Sequence, residues 1–274
     1  MSDKPIGVFD SGIGGMTVVK ELFATVPHER IVYFGDTARV PYGTKSVETI
    51  QRYAREDTEL LLAYDVKLIV IACNTVSATA LGVVERLARD IPVIGMIEPC
   101  AEEAVRTTKS GRIGIIGTEA TIASNAYEIL VAKEAERQSK HCVTFSKACP
   151  LFVPLAEEGW TDHPATVTIA EEYLKDLKRE SVDTLILGCT HYPVLSDVIQ
   201  RTMGPDVTLI NSGAAAAKKV TALLHGDLSQ EDFPHHTILV SDVPRKFQKI
   251  GEQFLGRPMP ETRLATWKES WVVS

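Results

Sequence analysis

The chain has 274 residues, of which 45% are hydrophobic, a length that suits one large or two medium-sized domains with their own cores. Its formal net charge of -7 and the lack of a lysine and arginine run argue against a nucleic-acid-binding protein, because basic side chains supply most non-specific affinity for phosphates. No apolar run approaches the ~20 residues that cross a bilayer and the first residues lack the pattern of a signal peptide, so we expect a cytoplasmic protein that does not contact membranes.

The first predicted strand, over residues 6–9, is followed by the glycine-rich segment Asp-Ser-Gly-Ile-Gly-Gly at residues 10–15 and then by a helix. The glycines permit a tight turn whose backbone N–H groups face a ligand. The dinucleotide-binding pattern is absent, because it requires Gly-x-Gly-x-x-Gly and an acidic residue ~20 positions later. Asp10 and Ser11 stand at the strand end, where a carboxylate can meet a cation and a hydroxyl can meet an anion.

The first part of the chain continues with alternating strands and helices. Its loop at residues 41–44, Pro-Tyr-Gly-Thr, by itself indicates only a turn. The strand over residues 68–71 ends in Ala-Cys-Asn-Thr, and asparagine and threonine are typical of helix N-termini. The predicted elements are strands over residues 31–34, 68–71 and 91–95 and helices over residues 46–64 and 76–89.

The second part of the chain repeats this order. The strand over residues 112–117 contains glycine and leads to a small polar residue, Thr118, as the first strand leads to Asp10 and Ser11. A later apolar strand, residues 185–188, again ends in a cysteine. The other predicted elements are strands over residues 142–147, 207–210 and 237–240 and helices over residues 124–136, 164–179, 194–203, 214–224 and 245–255.

Cys73 and Cys189 therefore have matching contexts, each at the carboxyl end of a predicted parallel strand and before a helical pattern. Open α/β sheets bind ligands at this edge, and a helix N-terminus favours the thiolate. A lone cysteine is more often a small buried hydrophobe, but the repeated context indicates catalysis. For the three other cysteines, at positions 100, 142 and 149, the buried or incidental interpretation is favoured. The odd number of cysteines argues against a disulfide framework, and no cluster has zinc-finger spacing, so we predict no metal.

The repeat predicts an α/β fold with two similar, mostly parallel-sheet domains that face each other across a central cleft and are related by a pseudo-two-fold axis. Each domain would contribute one thiol. Two opposed thiols suit inversion of a stereocentre, since one can remove a proton from carbon while the other delivers one from behind. A nucleophile pair of Cys189 and His191 would leave Cys73 without a role. No lysine has a comparable strand-end position for a pyridoxal Schiff base, so we expect no cofactor.

Four short motifs occur in order along the chain. They are Phe-Asp-Ser-Gly-Ile-Gly-Gly at residues 9–15, Val-Pro-Tyr-Gly at 40–43, Ala-Cys-Asn-Thr at 72–75 and Gly-Cys-Thr-His-Tyr-Pro at 188–193. Together they resemble the cofactor-independent glutamate racemase family, over roughly residues 5–260. The stretch at residues 149–158 is also similar to the family's Pro-Leu-Phe-Val-Pro-Leu segment, which places the family's glutamate at Glu157, with Glu158 as the alternative.

The resemblance implies interconversion of L- and D-glutamate, which supplies D-glutamate for peptidoglycan. It implies that Cys73 and Cys189 are the acid/base thiols, each deprotonating one enantiomer. Asp10 and His191 resemble the polar partners that assist the two thiols, and Glu157 joins this catalytic set. The implied substrate contacts are Asp10, Ser11, Tyr42, Gly43, Asn74, Thr75, Thr190 and His191, with Pro41, Thr118 and Thr121 as weaker candidates.

The family fold implies two α/β domains, the first built from both chain ends. Applied to this sequence, residues 1–97 and 207–274 form the first domain and residues 98–206 form the second. The implied assembly is a homodimer that binds a small-molecule substrate.

Three alternatives remain open at this stage. A racemase for aspartate or another acidic substrate is close, because one methylene group discriminates weakly. A non-catalytic module that binds an acidic ligand would keep the cleft but not require both thiols. A thiol hydrolase would use Cys189 alone.

Overall fold

The computed structural model describes residues 4–224, 235–243 and 247–265. Over these residues it contains ten strands and twelve α-helices. In chain order they are β1 (Ile6–Asp10), α1 (Met16–Thr25), β2 (Ile31–Gly35), α2 (Val47–Leu62), β3 (Leu68–Ile71), α3 (Asn74–Thr79), α4 (Leu81–Ala88), β4 (Val93–Ile94), α5 (Ile97–Thr107), β5 (Arg112–Gly117), α6 (Glu119–Ala123), α7 (Ala126–Arg137), β6 (Val143–Ala148), α8 (Phe152–Glu157), α9 (Pro164–Arg179), β7 (Thr184–Gly188), α10 (Ser196–Met203), β8 (Thr208–Asn211), α11 (Ser212–Leu223), β9 (Thr237–Val240), α12 (Phe247–Leu255) and β10 (Thr262–Leu264).

The strands form two parallel sheets that share one strand order. The first sheet has the order β10-β9-β2-β1-β3-β4 and the second has the order β6-β5-β7-β8. The run β2-β1-β3-β4 matches β6-β5-β7-β8, so β1 corresponds to β5 and β3 corresponds to β7. The prediction of two similar parallel-sheet α/β domains is confirmed.

Helices cover both faces of the sheets, which explains why the central strands are almost continuously apolar. All residues of β1, β3 and β7 are buried. One core cluster is shared by the two domains, because it contains Val18 and Leu22 of α1 together with Leu187 of β7. The outer faces of the two sheets have separate cores, which include Ile69 in the first domain and Ile115 in the second.

Two predicted helices differ from the structure at the ends nearest the cysteines. The helix predicted over residues 76–89 is two helices, α3 and α4, separated at Ala80, whose φ of −137° is not helical. Thr79 donates its hydroxyl hydrogen to the carbonyl oxygen of Thr75, a back-bond that bends helices. The helix predicted over residues 194–203 begins instead with a 3₁₀ turn, Tyr192–Leu195, before α10.

The predicted domain boundary at residue 206 does not follow the sheets. Strand β8 pairs with β7, in the second sheet, although the prediction placed it in the first domain. An apolar run indicates a strand but not its neighbour, and here the short loop after α10 returns the chain beside β7. Strands β9 and β10 do join the first sheet, as expected for a domain built from both chain ends. The parts of the predicted first domain at residues 1–3, 225–234, 244–246 and 266–274 lie outside the described residues, as do residues 245 and 246 of the last predicted helix.

No helix within the described parts of the chain is both long enough and apolar enough to cross a lipid bilayer.

Candidate active site

Both repeated cysteines lie at the carboxyl ends of corresponding strands. Cys73 follows β3 and occupies the N-cap position of α3, whereas Cys189 directly follows β7. Both residues are buried: Cys73 is 5% exposed and Cys189 is 6% exposed. The charge of Cys189 is the smallest of the influences that raise the pKa of Cys73. The glycine-rich segment at residues 10–15 contacts both cysteine segments, because Ser11 Oγ lies 3.7 Å from Cys73 Sγ and Gly14 packs against Thr190.

The environment of Cys73 favours a neutral thiol. Its Sγ donates a hydrogen bond to Ser11 Oγ at 3.7 Å. Burial is the largest influence on the pKa of Cys73, and with the charge of Asp10 it raises that pKa to about 12. The N–H group of Val76 in the first turn of α3 acts in the opposite direction. The helix N-terminus therefore favours the thiolate of Cys73, as expected, but burial outweighs the helix and the net effect favours the neutral thiol.

Asp10 is the last residue of β1 and is fully buried. Its Oδ2 accepts hydrogen bonds from the N–H groups of Gly12 at 3.1 Å and Gly15 at 2.9 Å. Its Oδ1 is buried without a hydrogen-bond partner among the residues that the structure describes. Burial raises the pKa of Asp10, while the charge of His191 and these N–H groups lower it. One carboxylate oxygen is thus fixed by the glycine-rich turn and the other is left for a proton or a ligand.

The glycine-rich turn is close to the segment that contains Cys189. This proximity explains why residue 14 of the turn is a glycine. A Cβ atom on Gly14 would lie 2.2 Å from Thr190 Oγ1 and 2.6 Å from His191 Nδ1. Only glycine allows the backbone to approach these side chains so closely. The hydroxyl of Thr17 also donates to the carbonyl oxygen of Thr190 at 2.8 Å. The segment that follows β1 therefore packs directly on the segment that follows β7.

His191 connects Cys189 to Glu157. Its Nδ1 lies 3.9 Å from Cys189 Sγ, and its Nε2 lies 2.9 Å from Glu157 Oε1. Burial lowers the pKa of His191, but its hydrogen bonds with Cys189 and Glu157 outweigh burial and raise the pKa to about 10. These contacts favour the protonated imidazolium form of His191. Of the two glutamates predicted from the sequence, Glu157 is the last residue of α8 and forms the contact with His191, and Glu158 is the C-cap residue that follows it.

Three threonine hydroxyl groups from both domains form a cluster beside Cys73. Thr75 Oγ1 lies 2.9 Å from Thr118 Oγ1 and 3.3 Å from Thr121 Oγ1, and the latter two oxygens are 2.9 Å apart. Gly43 lies against this cluster, because a Cβ atom there would be 2.7 Å from Thr118 Cβ. Hydroxyl groups can donate hydrogen bonds to a carboxylate, so this cluster is a candidate contact for an acidic substrate.

The side chain of Tyr42 is directed into a buried polar network. Its hydroxyl donates to Asp36 Oδ2 and lies 3.1 Å from Asp57 Oδ2, and Arg39 bonds to both carboxylates. Any substrate contact of Tyr42 must therefore come from its backbone. Pro41 is exposed and follows a cis peptide bond.

Asn74 is held by side chains from two other elements. The hydroxyl of Tyr127 donates to Asn74 Oδ1 at 2.6 Å, and Asn74 Nδ2 donates to Ser212 Oγ at 3.2 Å. Asn74 is 2% exposed, and it follows Cys73 directly in the chain. Within residues 4–224, 235–243 and 247–265, no group of three or more His, Cys, Asp or Glu side chains could hold a metal ion.

Known proteins are similar to this chain over nearly its whole length. The profile of the Asp/Glu/Hydantoin racemase family matches residues 6–220. The glutamate racemase of Chlorobaculum tepidum is 56% identical over 268 residues, which cover 96% of each chain. The chain belongs to this racemase family.

Solved racemase structures share the fold over nearly the whole chain. The glutamate racemase of Francisella tularensis, determined in complex with D-glutamate, is 40% identical and gives a TM-score of 0.90, covering 97% of this chain and 98% of that one. A glutamate racemase isoform from Bacillus anthracis is 37% identical and gives a TM-score of 0.89, covering 96% and 97%.

Some residues of this racemase site carry no recognisable signal in the sequence. Tyr127 lies on a helix, where its aromatic ring resembles any core residue. Ser212 lies between a predicted strand and a predicted helix, and Thr17 lies within the apolar pattern of α1. Each acts through a partner that is distant in the chain, so periodicity and motif spacing could not identify them.

Replacement of Glu157 by glutamine should lower the pKa of His191 from about 10, because a neutral amide stabilises the imidazolium less than a carboxylate does. Titration of the His191 ring by NMR measures this shift. The folded-state pKa lies above the ordinary value of 6.5, so His191 stabilises the fold fully below pH 6.5, and this stabilisation is lost as pH rises through about 10.

The matched control for this change is Glu158→Gln, which replaces the neighbouring carboxylate and should leave the pKa of His191 at about 10. A shift in the control but not in Glu157→Gln would contradict the assignment of Glu157 as the partner of His191.

Proposed function

We propose that this protein is a glutamate racemase, which interconverts L- and D-glutamate by transferring a proton at the α-carbon between the substrate and two cysteines, Cys73 and Cys189. The observation that supports this most strongly is that two buried thiols stand at corresponding strand ends and that the glycine-rich segment at residues 10–15 contacts both cysteine segments. The names of the relatives, and the D-glutamate complex of the Francisella protein, favour glutamate as the substrate.

The reaction needs one thiolate and one thiol. The thiolate removes the α-proton and becomes a thiol, while the opposite thiol gives its proton to the other face of the carbanion and becomes a thiolate. Each turnover therefore inverts the carbon and exchanges the protonation states of the two sulfurs. The next turnover in the same direction requires the sulfurs to exchange protons with solvent or with their neighbours.

The polar neighbours differ on the two sides of the site. The imidazolium of His191 can pair with a thiolate at Cys189, and Glu157 holds its ring in place. On the other side, the neutral thiol of Cys73 lies beside Asp10, whose free Oδ1 can accept or return a proton. We assign Asp10 and His191 as the partners that assist the two thiols in proton transfer.

The carbanion must be stabilised, because the α-proton of an amino acid is far less acidic than a thiol. Each ~1.4 kcal/mol of stabilisation confined to the transition state gives a tenfold rate increase. Donors held in a buried site provide this stabilisation without reorganisation. We propose that these donors include side chains and backbone groups of most of the remaining sequence-predicted residues: Ser11, Tyr42, Gly43, Asn74, Thr75, Thr118, Thr121 and Thr190. Pro41 has no hydrogen to donate, so any substrate contact that it makes is apolar or uses its carbonyl oxygen.

The expected result is that the purified protein, mixed with L-glutamate without pyridoxal phosphate, reduces the optical rotation to zero. Exchange of the α-proton in D₂O, compared for glutamate and aspartate, tests the choice of substrate. Exchange of aspartate alone would favour the aspartate racemase alternative. Glutamate binding without any exchange would instead favour a non-catalytic module.

The biological role that follows is supply of D-glutamate for peptidoglycan, by a cytoplasmic homodimer as in the family that the sequence resembles. Light scattering tests the assembly, since a homodimer has twice the mass of one chain. A single-chain mass at enzyme concentrations that support turnover would contradict it.

A further inference from the structure

Tyr127 contacts the segments that carry both thiols, although it belongs to neither. It lies on α7 in the second domain and is 1% exposed. Its hydroxyl donates to Asn74 Oδ1 at 2.6 Å, and Asn74 is bonded covalently to Cys73. The edge of its ring lies against Gly188, the residue before Cys189, because a Cβ atom on Gly188 would be 3.0 Å from Tyr127 Cε2. One rigid side chain therefore touches the neighbours of both sulfurs.

The hydroxyl of Tyr127 remains a hydrogen-bond donor at every working pH. Burial raises its pKa well above the ordinary value of 10.0, and the charges of Cys100 and Cys189 raise it further. The hydroxyl donates to Asn74 Oδ1, and the Nδ2 group of the same amide faces the opposite way, towards Ser212. This contact fixes which end of the amide points in each direction.

The contact also links the two domains at the site. Asn74 belongs to α3, which follows the first sheet, whereas Tyr127 packs in the core of the second domain with Ile115 and Ile186. Proton transfer through two thiols requires the two sulfurs to keep a fixed separation around one carbon. A misplacement of about 1 Å can cost a hundredfold in rate.

From these contacts we infer that Tyr127 is a positioning residue, which sets the separation of the Cys73 and Cys189 segments by holding Asn74 through its hydroxyl and Gly188 through its ring. It acts through these two partners. The inference rests on the proposed racemase function.

Replacement of Tyr127 by phenylalanine keeps the ring against Gly188 and removes the hydrogen bond to Asn74, together with the interaction of the hydroxyl with Cys100. We expect kcat/KM for glutamate to fall roughly tenfold, the effect of losing one hydrogen bond to a buried partner. The change should be much smaller, below about twofold, when Asn74 is already alanine, because Tyr127 then has no amide to position. A double-mutant cycle with Asn74→Ala measures this dependence.

The matched control is Tyr173→Phe, which removes a hydroxyl that accepts a hydrogen bond from the N–H group of Leu151. This control should keep the activity of the unchanged protein. An equal fall in Tyr127→Phe with and without Asn74 would overturn the inference, as would unchanged kcat/KM in the single variant. If Tyr127→Phe does not fold, the second variant is Ser212→Ala, which releases the other end of the Asn74 amide. Additive effects of Ser212→Ala and Asn74→Ala on kcat/KM would also overturn the inference. Lack of turnover by the unchanged protein would contradict the proposed function instead.

Discussion

Replacement of either Cys73 or Cys189 by alanine should abolish racemisation of glutamate while the protein remains folded. Without one thiol, one face of the α-carbon has no group that can take or give the proton. A single positioned acid or base contributes about 10²–10⁴-fold in rate, so each variant should lose at least this much. Stability should fall by about 1 kcal/mol, the typical cost of a point mutation, because the change removes only a sulfur atom. Polarimetry and thermal unfolding measure the two effects.

The matched control is Cys142→Ala, which makes the same change outside the site. Cys142 is partly exposed and immediately precedes β6. It therefore lies at the amino edge of the second sheet, opposite the edge that carries Cys189. Full activity in this control and none in the other two would assign the loss to the thiols. Substantial turnover by Cys73→Ala or Cys189→Ala would refute the two-thiol scheme.

The pattern of strands and cysteines was sufficient to predict the fold. Buried parallel strands are read from short apolar runs, and ligand sites in such sheets occur at the carboxyl ends of the strands. The duplication of these features around Cys73 and Cys189 therefore predicted two sheets and one shared site. The neighbour of β8 could not be predicted in the same way, because its apolar run fits an edge of either sheet.

The polar partners of the site were harder to predict from the residues alone. Glu157 and Glu158 are adjacent on the same helix end, and only the position of His191 distinguishes them. The hydrogen bond between Tyr127 and Asn74 joins residues that are 53 positions apart, so no local sequence pattern predicts it. The direction of the Cys73 pKa shift also required the structure, because burial opposes the helix N-terminus and its magnitude depends on packing around the sulfur.

When either cysteine is replaced by serine, the α-deuterium isotope effect should be large for one enantiomer of glutamate and small for the other. Which enantiomer shows the large effect should depend on which cysteine is replaced. Enantiomers have equal free energies, so their equilibrium constant is one and kcat/KM must be equal in both directions for every variant. The asymmetry must therefore be sought in the C–H cleavage step. Serine is a far weaker acid than cysteine, so only a very small fraction of its hydroxyl is ionised to the alkoxide. Proton abstraction by serine is therefore slow.

In Cys73→Ser, the enantiomer that uses residue 73 as its base should show a large α-deuterium isotope effect on kcat/KM, because C–H cleavage then limits the rate. The other enantiomer is still deprotonated by Cys189, and its slow step becomes proton delivery from the new serine hydroxyl, so its isotope effect should be small. Cys189→Ser should reverse this assignment. Rates of L- and D-glutamate carrying deuterium at the α-carbon measure both effects, with Cys142→Ser as the control that should match the unchanged protein. Equal isotope effects for the two enantiomers in both variants would mean that neither sulfur serves a single face, since a base confined to one side of the carbon can slow cleavage of only one enantiomer.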